Sequence, residues 1–141
     1  MERTLLVEIV SPDANLYKGE ATAVIVTTKL GEMGIYPLHI PLVAELAPGV
    51  IRIKHGDDLA AMEVFSVYGG YVQVAEDHML VLADQAVDVK NIDAVKVEAD
   101  IKSAEARVKA LPEDALEDRA SLAHEIEWLR NCLAVANRHN N

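Results

Sequence analysis

Between Thr4 and about Val87 the apolar residues come in short β-branched runs: TLLVEIV, ATAVIVTT, VIRIKHG, AMEVFSVYGG, YVQVAED and HMLVLADQAV. Turn-prone residues punctuate them, namely Pro12, Asp13, Gly19, Gly31, Pro48, Gly49, Gly56 and the Gly69–Gly70 pair. Short runs at such close spacing predict an all-β sandwich or barrel. YVQV and HMLVLAD flank Ala75, Glu76 and Asp77, which predicts a hairpin.

After Lys90 the period changes. Val97, Ile101, Ala104, Val108 and Leu111 fall on one helical stripe. Glu98/Lys102 and Glu105/Lys109 add favourable i,i+4 pairs, each worth about 0.2–0.5 kcal/mol. Pro112 is expected to stop this helix and open a second, with Glu113 and Asp114 on the positive end of its dipole. The second stripe is Leu122, Ile126, Leu129, Leu133 and Ala136, with Arg138 and His139 near its negative end. So short a connection predicts an antiparallel helical hairpin. Ala104, Ala123 and Ala136 bury little area apiece, so the hairpin is expected to dock weakly enough to leave; a fixed two-helix brace is the alternative. The expected fold is α+β in two parts, a β-sandwich domain over 1–89 and a helical hairpin over 90–141.

Composition narrows the partners. At 141 residues and 51% hydrophobic content the chain can build a core. Aromatics are 4% and the formal net charge is -10, which disfavours nucleic acid and anionic lipid alike. Cys132 stands alone, so no intrachain disulfide forms and a reducing compartment is the simpler expectation. The opening MERTLLVEIV turns directly into a strand pattern, without secretory or transit character. No apolar run approaches the roughly 20 residues of a membrane span. A cytosolic chain, or one docked onto something larger, is expected.

Reactive constellations are hard to find. There is no G-x-x-x-x-G-K-[ST] phosphate loop and no G-x-S-x-G elbow. HEIEW, His124 to Trp128, begins like H-E-x-x-H but places Trp128 where the second zinc ligand belongs. His39, His55, His78 and His139 show no short paired spacing, and Cys132 within the striped helix reads as a packed thiol. Neither metal nor catalytic residues are expected.

GEMGIYPLHIPLV, PGVIRI, GGYVQV and VLADQAV, in that order and ahead of a helical hairpin, resemble the epsilon subunit of bacterial F-type ATP synthases over nearly the whole chain. The family's G-E-[LIM]-G-I-x-P-x-H-x-P-L pattern falls at Gly31 to Leu42, with Leu38 in place of the Gly usual before the histidine. LAHEIEWLR, Leu122 to Arg130, fits the looser helix pattern L-A-x-x-I-x-x-L-R.

The resemblance implies a flattened sandwich of about ten short strands, a C-terminal hairpin, and a non-catalytic rotor subunit of the central stalk. Its implied partners are the gamma subunit, the c-subunit ring and, through an extended hairpin that inhibits hydrolysis, the catalytic alpha/beta ring. Its implied place is the cytoplasmic face of the bacterial membrane, reached only through the complex. Gly31 to Gly49 would then be a rigid loop at the c-ring end, with Glu32 facing the c-subunit polar loops and His39 in the middle. Gly31 and Gly34 would turn the backbone around Glu32, and Pro37 and Pro41 would stiffen the adjoining segment. Arg119, Arg130 and Arg138 are candidates for contacting acidic surfaces of the catalytic ring. Some members bind ATP through I/L-D-x-x-R-A; the matching residues here are Ile92, Asp93, Lys96 and Val97. Lys lacks the planar fork that grips phosphate bidentately, and Asp93 is a good helix N-cap, so no cofactor is expected. From the residues alone, the alternative is a free-standing binding module of sandwich and hairpin.

Overall fold

The computed structural model describes residues 3–140. Its strands are β1 (Leu5–Ser11), β2 (Ala14–Ala21), β3 (Ala23–Thr28), β4 (Gly31–Ile35), β5 (Leu42–Lys54), β6 (Glu63–Ala75) and β7 (His78–Asp88). One-turn 3₁₀ segments lie at Leu59–Ala61 and Val89–Asn91, and then come α1 (Ala94–Ala110) and α2 (Leu116–Asn140). Backbone contacts group the chain into two compact units that divide between Asp88 and Val89.

The seven strands form one sheet in the order β2-β1-β7-β6-β5-β3-β4. Alternation buries Leu5, Val7 and Ile9 on β1 and Met79, Val81 and Ala83 on β7, while their neighbours face outward. The core cluster draws on all seven strands and is built from sheet residues. An open sheet cannot seal its own face, so the sheet must cover itself. Tyr17 and Phe65 show the closure: β2 and β6 are three places apart in the order, roughly 14 Å in a flat sheet. Yet their rings meet edge to face, with centroids 5.8 Å apart.

The count of seven continuous strands, against about ten expected short ones, has a local cause. Pro48–Gly49 and Gly69–Gly70 were expected to separate strands; both lie inside one, in β5 and β6. The β5–β6 register is the same on either side of the gap between Glu45 and Gly49, so the strand bends and continues. Gly70 sits at φ +110, and a Cβ there would run into the Leu82 carbonyl oxygen of β7. The glycines therefore allow a close approach and a bend instead of a turn. β7 in turn keeps β1 as a neighbour only as far as Leu82. Long bent strands thus serve both layers of the sandwich.

In the second unit, the Asp93 carboxylate caps α1 by accepting from the backbone N–H groups of Val95 and Lys96 at 3.1 and 3.3 Å. The helix ends at Leu111, which Pro112 holds extended (φ -77, ψ 145). Pro112 does not open the second helix as expected. Residues 112–115 form a turn, with Ala115 N–H bonded to the Pro112 carbonyl, and Glu117 and Asp118 occupy the first turn of α2. Ala104, Leu122 and Ile126 form the seam between the helices, with Val108 and Leu111 packed against them.

Candidate functional site

The segment 31–49 is not one loop. Gly31–Ile35 is a strand, Leu42–Lys54 is another, and only residues 36–41 connect them irregularly. Thr28 closes the β3–β4 hairpin: its hydroxyl donates to the Gly31 carbonyl at 2.7 Å and accepts from Leu30 N–H at 3.2 Å. Gly31 takes the left-handed φ of +118 that ends this turn. Gly34 does not turn. It lies opposite Ile25 within the strand, and its missing side chain makes room for the Tyr36 ring. Glu32 therefore stands on an edge strand opposite Thr27, solvent-exposed, with its carboxylate 3.6 Å from Arg52 of β5.

The connection 36–41 has a sharper feature. Leu38 adopts φ +68, a conformation that costs a β-carbon-bearing residue about 1–2 kcal/mol. Its N–H donates to Asp77 Oδ1 at 2.6 Å, across 39 residues of sequence. His39 N–H donates to the Tyr36 carbonyl at 3.1 Å. His39 Nδ1 lies 2.8 Å from the Ile40 carbonyl; a carbonyl only accepts, so Nδ1 carries the proton. Leu38 and Ile40 project outward, 67% and 74% exposed. Sequence reasoning placed Asp77 merely in a hairpin turn. The available signal was Leu38 itself, a large residue where the pattern asks for glycine.

A second surface lies on the outward face of β1, β7, β6 and β5. Residues opposite one another share a face, which aligns Val10, Leu82, Tyr71 and Glu45 in one row and Glu8, Leu80, Gln73 and Val43 in the next. Tyr71, Leu82 and Val43 are exposed, so this face carries an apolar strip, with the exposed Gln73 inside it and Glu8 and Glu45 at its ends. At the edge of the sandwich, Glu63 lies 2.8 Å from His55 Nε2 and also accepts from the Tyr17 hydroxyl. Burial, and then the Glu63 carboxylate, hold the Tyr17 phenol well above its ordinary pKa.

The helix pair engages most of its candidate arginines internally. Arg119 donates from Nε to the Pro112 carbonyl and from Nη2 to the Leu111 carbonyl, both at 2.9 Å, which clamps the inter-helix turn. Arg130 lies 3.6 Å from Glu105 and Arg107 lies 3.9 Å from Glu125, two cross-seam pairs. Arg138 sits exposed in the last turn of α2. The structure thus brings Arg119 and Arg130 to the α1–α2 seam, while Arg138 lies beyond it along α2. Of the nucleotide candidates, Asp93 is spent on the N-cap, Ile92 is half-buried and Lys96 is exposed. Among the described residues no group of three or more His, Cys, Asp or Glu could hold a metal ion, and no helix is long and apolar enough to cross a membrane.

A self-covering β-sheet unit followed by a clamped helix pair, with no metal-binding cluster among the described residues, is the architecture of a β-sandwich-plus-hairpin protein. The family described as "ATP synthase, Delta/Epsilon chain, beta-sandwich domain" matches residues 4–89. The ATP synthase epsilon chain of Halalkalibacterium halodurans is 36% identical over 136 residues, covering 96% of this chain and 98% of that one. This chain belongs to the ATP synthase epsilon chain family. Two solved structures share its fold. A chain of the Euglena gracilis mitochondrial ATP synthase has a TM-score of 0.73 and 21% identity, with 93% of this chain and 80% of that one covered. A chain of the Tetrahymena thermophila mitochondrial ATP synthase central stalk and c-ring has a TM-score of 0.55 and 14% identity, with 99% and 98% covered.

Proposed function

We propose that this chain is a non-catalytic central-stalk subunit of a bacterial F-type ATP synthase, and that it couples ion translocation to ATP synthesis and restrains ATP hydrolysis through its helix pair. The observation that carries the reading is end-to-end likeness to a bacterial epsilon chain, through both units. The face of Val10, Leu82, Tyr71, Leu80 and Val43, with Gln73 among them and Glu8 and Glu45 at its ends, suits contact with another subunit, and gamma is the partner proposed for it. Glu32, on an edge strand with a basic neighbour, is proposed to meet the polar loops of the c-ring. The complex then lies at the cytoplasmic face of the membrane, and the chain reaches the membrane only through it.

Regulation is proposed to use an opening of the helix pair toward the catalytic alpha/beta ring. The seam is thin, and opening would free Arg119 and Arg130, beside Arg138, for acidic partners. The test compares ATP hydrolysis by the complex reconstituted with the full chain and with a chain truncated after Val89. The truncated chain is expected to assemble and to release the inhibition. Unchanged hydrolysis in an assembled complex would remove the regulatory role; co-purification of gamma and c subunits with the tagged full chain checks the docking role.

A further inference from the structure

We propose that the helix pair carries an ionic latch: Glu105–Arg130 and Arg107–Glu125 hold its seam closed, so that ionic strength sets how often α1 and α2 part. The inference concerns the second unit alone and stands apart from the proposed restraint of hydrolysis. The two pairs bridge the helices at 3.6 and 3.9 Å. Glu105 and Arg107 are two residues apart, about 200° around a helix, so the pairs lie on opposite flanks of α1. The grooves beside the seam agree. Glu105 and Arg130 line one with Val108 and Ile126, and Arg107 and Glu125 line the other with Leu111 and Leu122.

Apolar contact alone is a weak closure here. Of the seam residues Ala104, Leu122 and Ile126, one is an alanine, which buries little area. At the turn, Arg119 ties α2 to the Leu111 and Pro112 carbonyls. Glu105 lies roughly 9 Å from Leu111 along α1, so that clamp does not cover it. The other charges along the two grooves are Lys109, Arg119 and Glu127 on the first flank and Asp118 on the second. Each flank therefore holds both signs, and closure brings acid to base across the seam on both.

Exposure decides how strong the latch is. The side chains of the two pairs are between 46% and 64% exposed. A pair so exposed shifts a two-state equilibrium by up to about fivefold. That is too little to lock the helices and enough to grade their opening. Salt then acts directly on it, because the Debye length falls from about 30 Å at 0.01 M to about 3 Å at 1 M.

The test measures amide exchange by NMR in the full chain at about 0.01 M and about 1 M sodium chloride. Helices owe most of their stability to packing, so parting speeds exchange at Val108 and Ile126. High salt should speed both about threefold or more. Glu105→Gln combined with Glu125→Gln should exchange about threefold or more faster than wild type at low salt, and should respond little to added salt. Arg130→Glu sets like charges against each other and should speed exchange as well, and adding Glu105→Arg should slow it again. Glu98→Gln, on α1 away from both pairs, is the control and should stay within about 1.5-fold of wild type. No salt response in wild type overturns the latch, as does an undiminished response in the Gln double variant. Exchange that stays fast when Glu105→Arg is added to Arg130→Glu overturns it too. If the Gln double variant opens more readily and the reconstituted complex hydrolyses ATP at an unchanged rate, the proposed restraint of hydrolysis fails and the latch stands.

Discussion

In the sandwich, Val7, Ile9, Val24, Val26, Ile35, Ile53, Val72 and Val81 are sealed at 0% exposure, whereas the seam residues Ala104, Leu122 and Ile126 of the helix pair keep 2%, 6% and 9%. The first unit buries large aliphatics contributed by strands far apart in sequence. The second closes a thin seam between two consecutive helices and then supplements it with side-chain clamps. Stability is not uniform across a chain, and the elements that move are drawn from its less stable end. The contrast separates a platform sealed by long-range packing from a helix pair with a thin seam, and the proposed opening rests on that difference.

The largest effect should come from cutting into the platform. Ile53→Ala should cost about 3–4 kcal/mol and weaken the whole sandwich, whereas Leu122→Ala should cost about 2 kcal/mol and loosen only the helices. Urea denaturation monitored by circular dichroism, with Tyr and Trp fluorescence as separate probes, distinguishes them. Equal losses at both sites, with one shared transition, would break the contrast.

Arg119→Gln tests the clamp. It removes two charge-assisted bonds to the Leu111 and Pro112 carbonyls and should lower helix-pair stability by about 1–2 kcal/mol. If opening inhibits, this variant should also inhibit hydrolysis more strongly in the reconstituted complex. Spin labels on α1 and α2 should report longer distances.

Tyr17→Phe probes the sandwich edge at a smaller cost, about 1 kcal/mol near neutral pH. The folded state holds the Tyr17 phenolic proton above its unfolded pKa of about 10, so its contribution is fully present below that pH and fades as pH rises beyond it. Wild type and variant should therefore converge in stability above pH 10, as read by chemical denaturation across an alkaline series.

The smallest effect is expected at Glu32. Its pairing with Arg52 is solvent-exposed, so Glu32→Gln should shift stability by no more than about 0.5 kcal/mol. A cysteine at this position should cross-link to a c-subunit polar loop in the assembled enzyme, and failure across several linker lengths would remove the residue from that contact.

Local chemistry is what made the two-part plan legible from the sequence. Period-2 runs and period-3.6 stripes arise from backbone geometry alone, so the change near Lys90, the Asp93 cap and the paired helices were readable without coordinates. The Gly31 turn was readable for the same reason. Breaker residues behave differently from expectation where a neighbouring group decides their role: Gly70 is required by the Leu82 carbonyl of β7 pressing on it, and Gly34 leaves room for the Tyr36 ring two residues on. Pro112 was misplaced by a few residues because it restrains Leu111 before it, and a turn had to fit before α2 could begin.

The order of residues along the chain was enough to specify the strand and helix periods, the acidic surface, the aliphatic core and the family motif around Gly31 to Leu42. Three-dimensional packing alone settled that the sheet closes through Tyr17 and Phe65, that Asp77 holds Leu38 across 39 residues, and that Arg119 faces inward to two carbonyls. The physical reason is range. Periodicity and capping act within a few residues, whereas a hydrogen bond or ring contact between distant segments exists only after the chain has folded to bring its partners together.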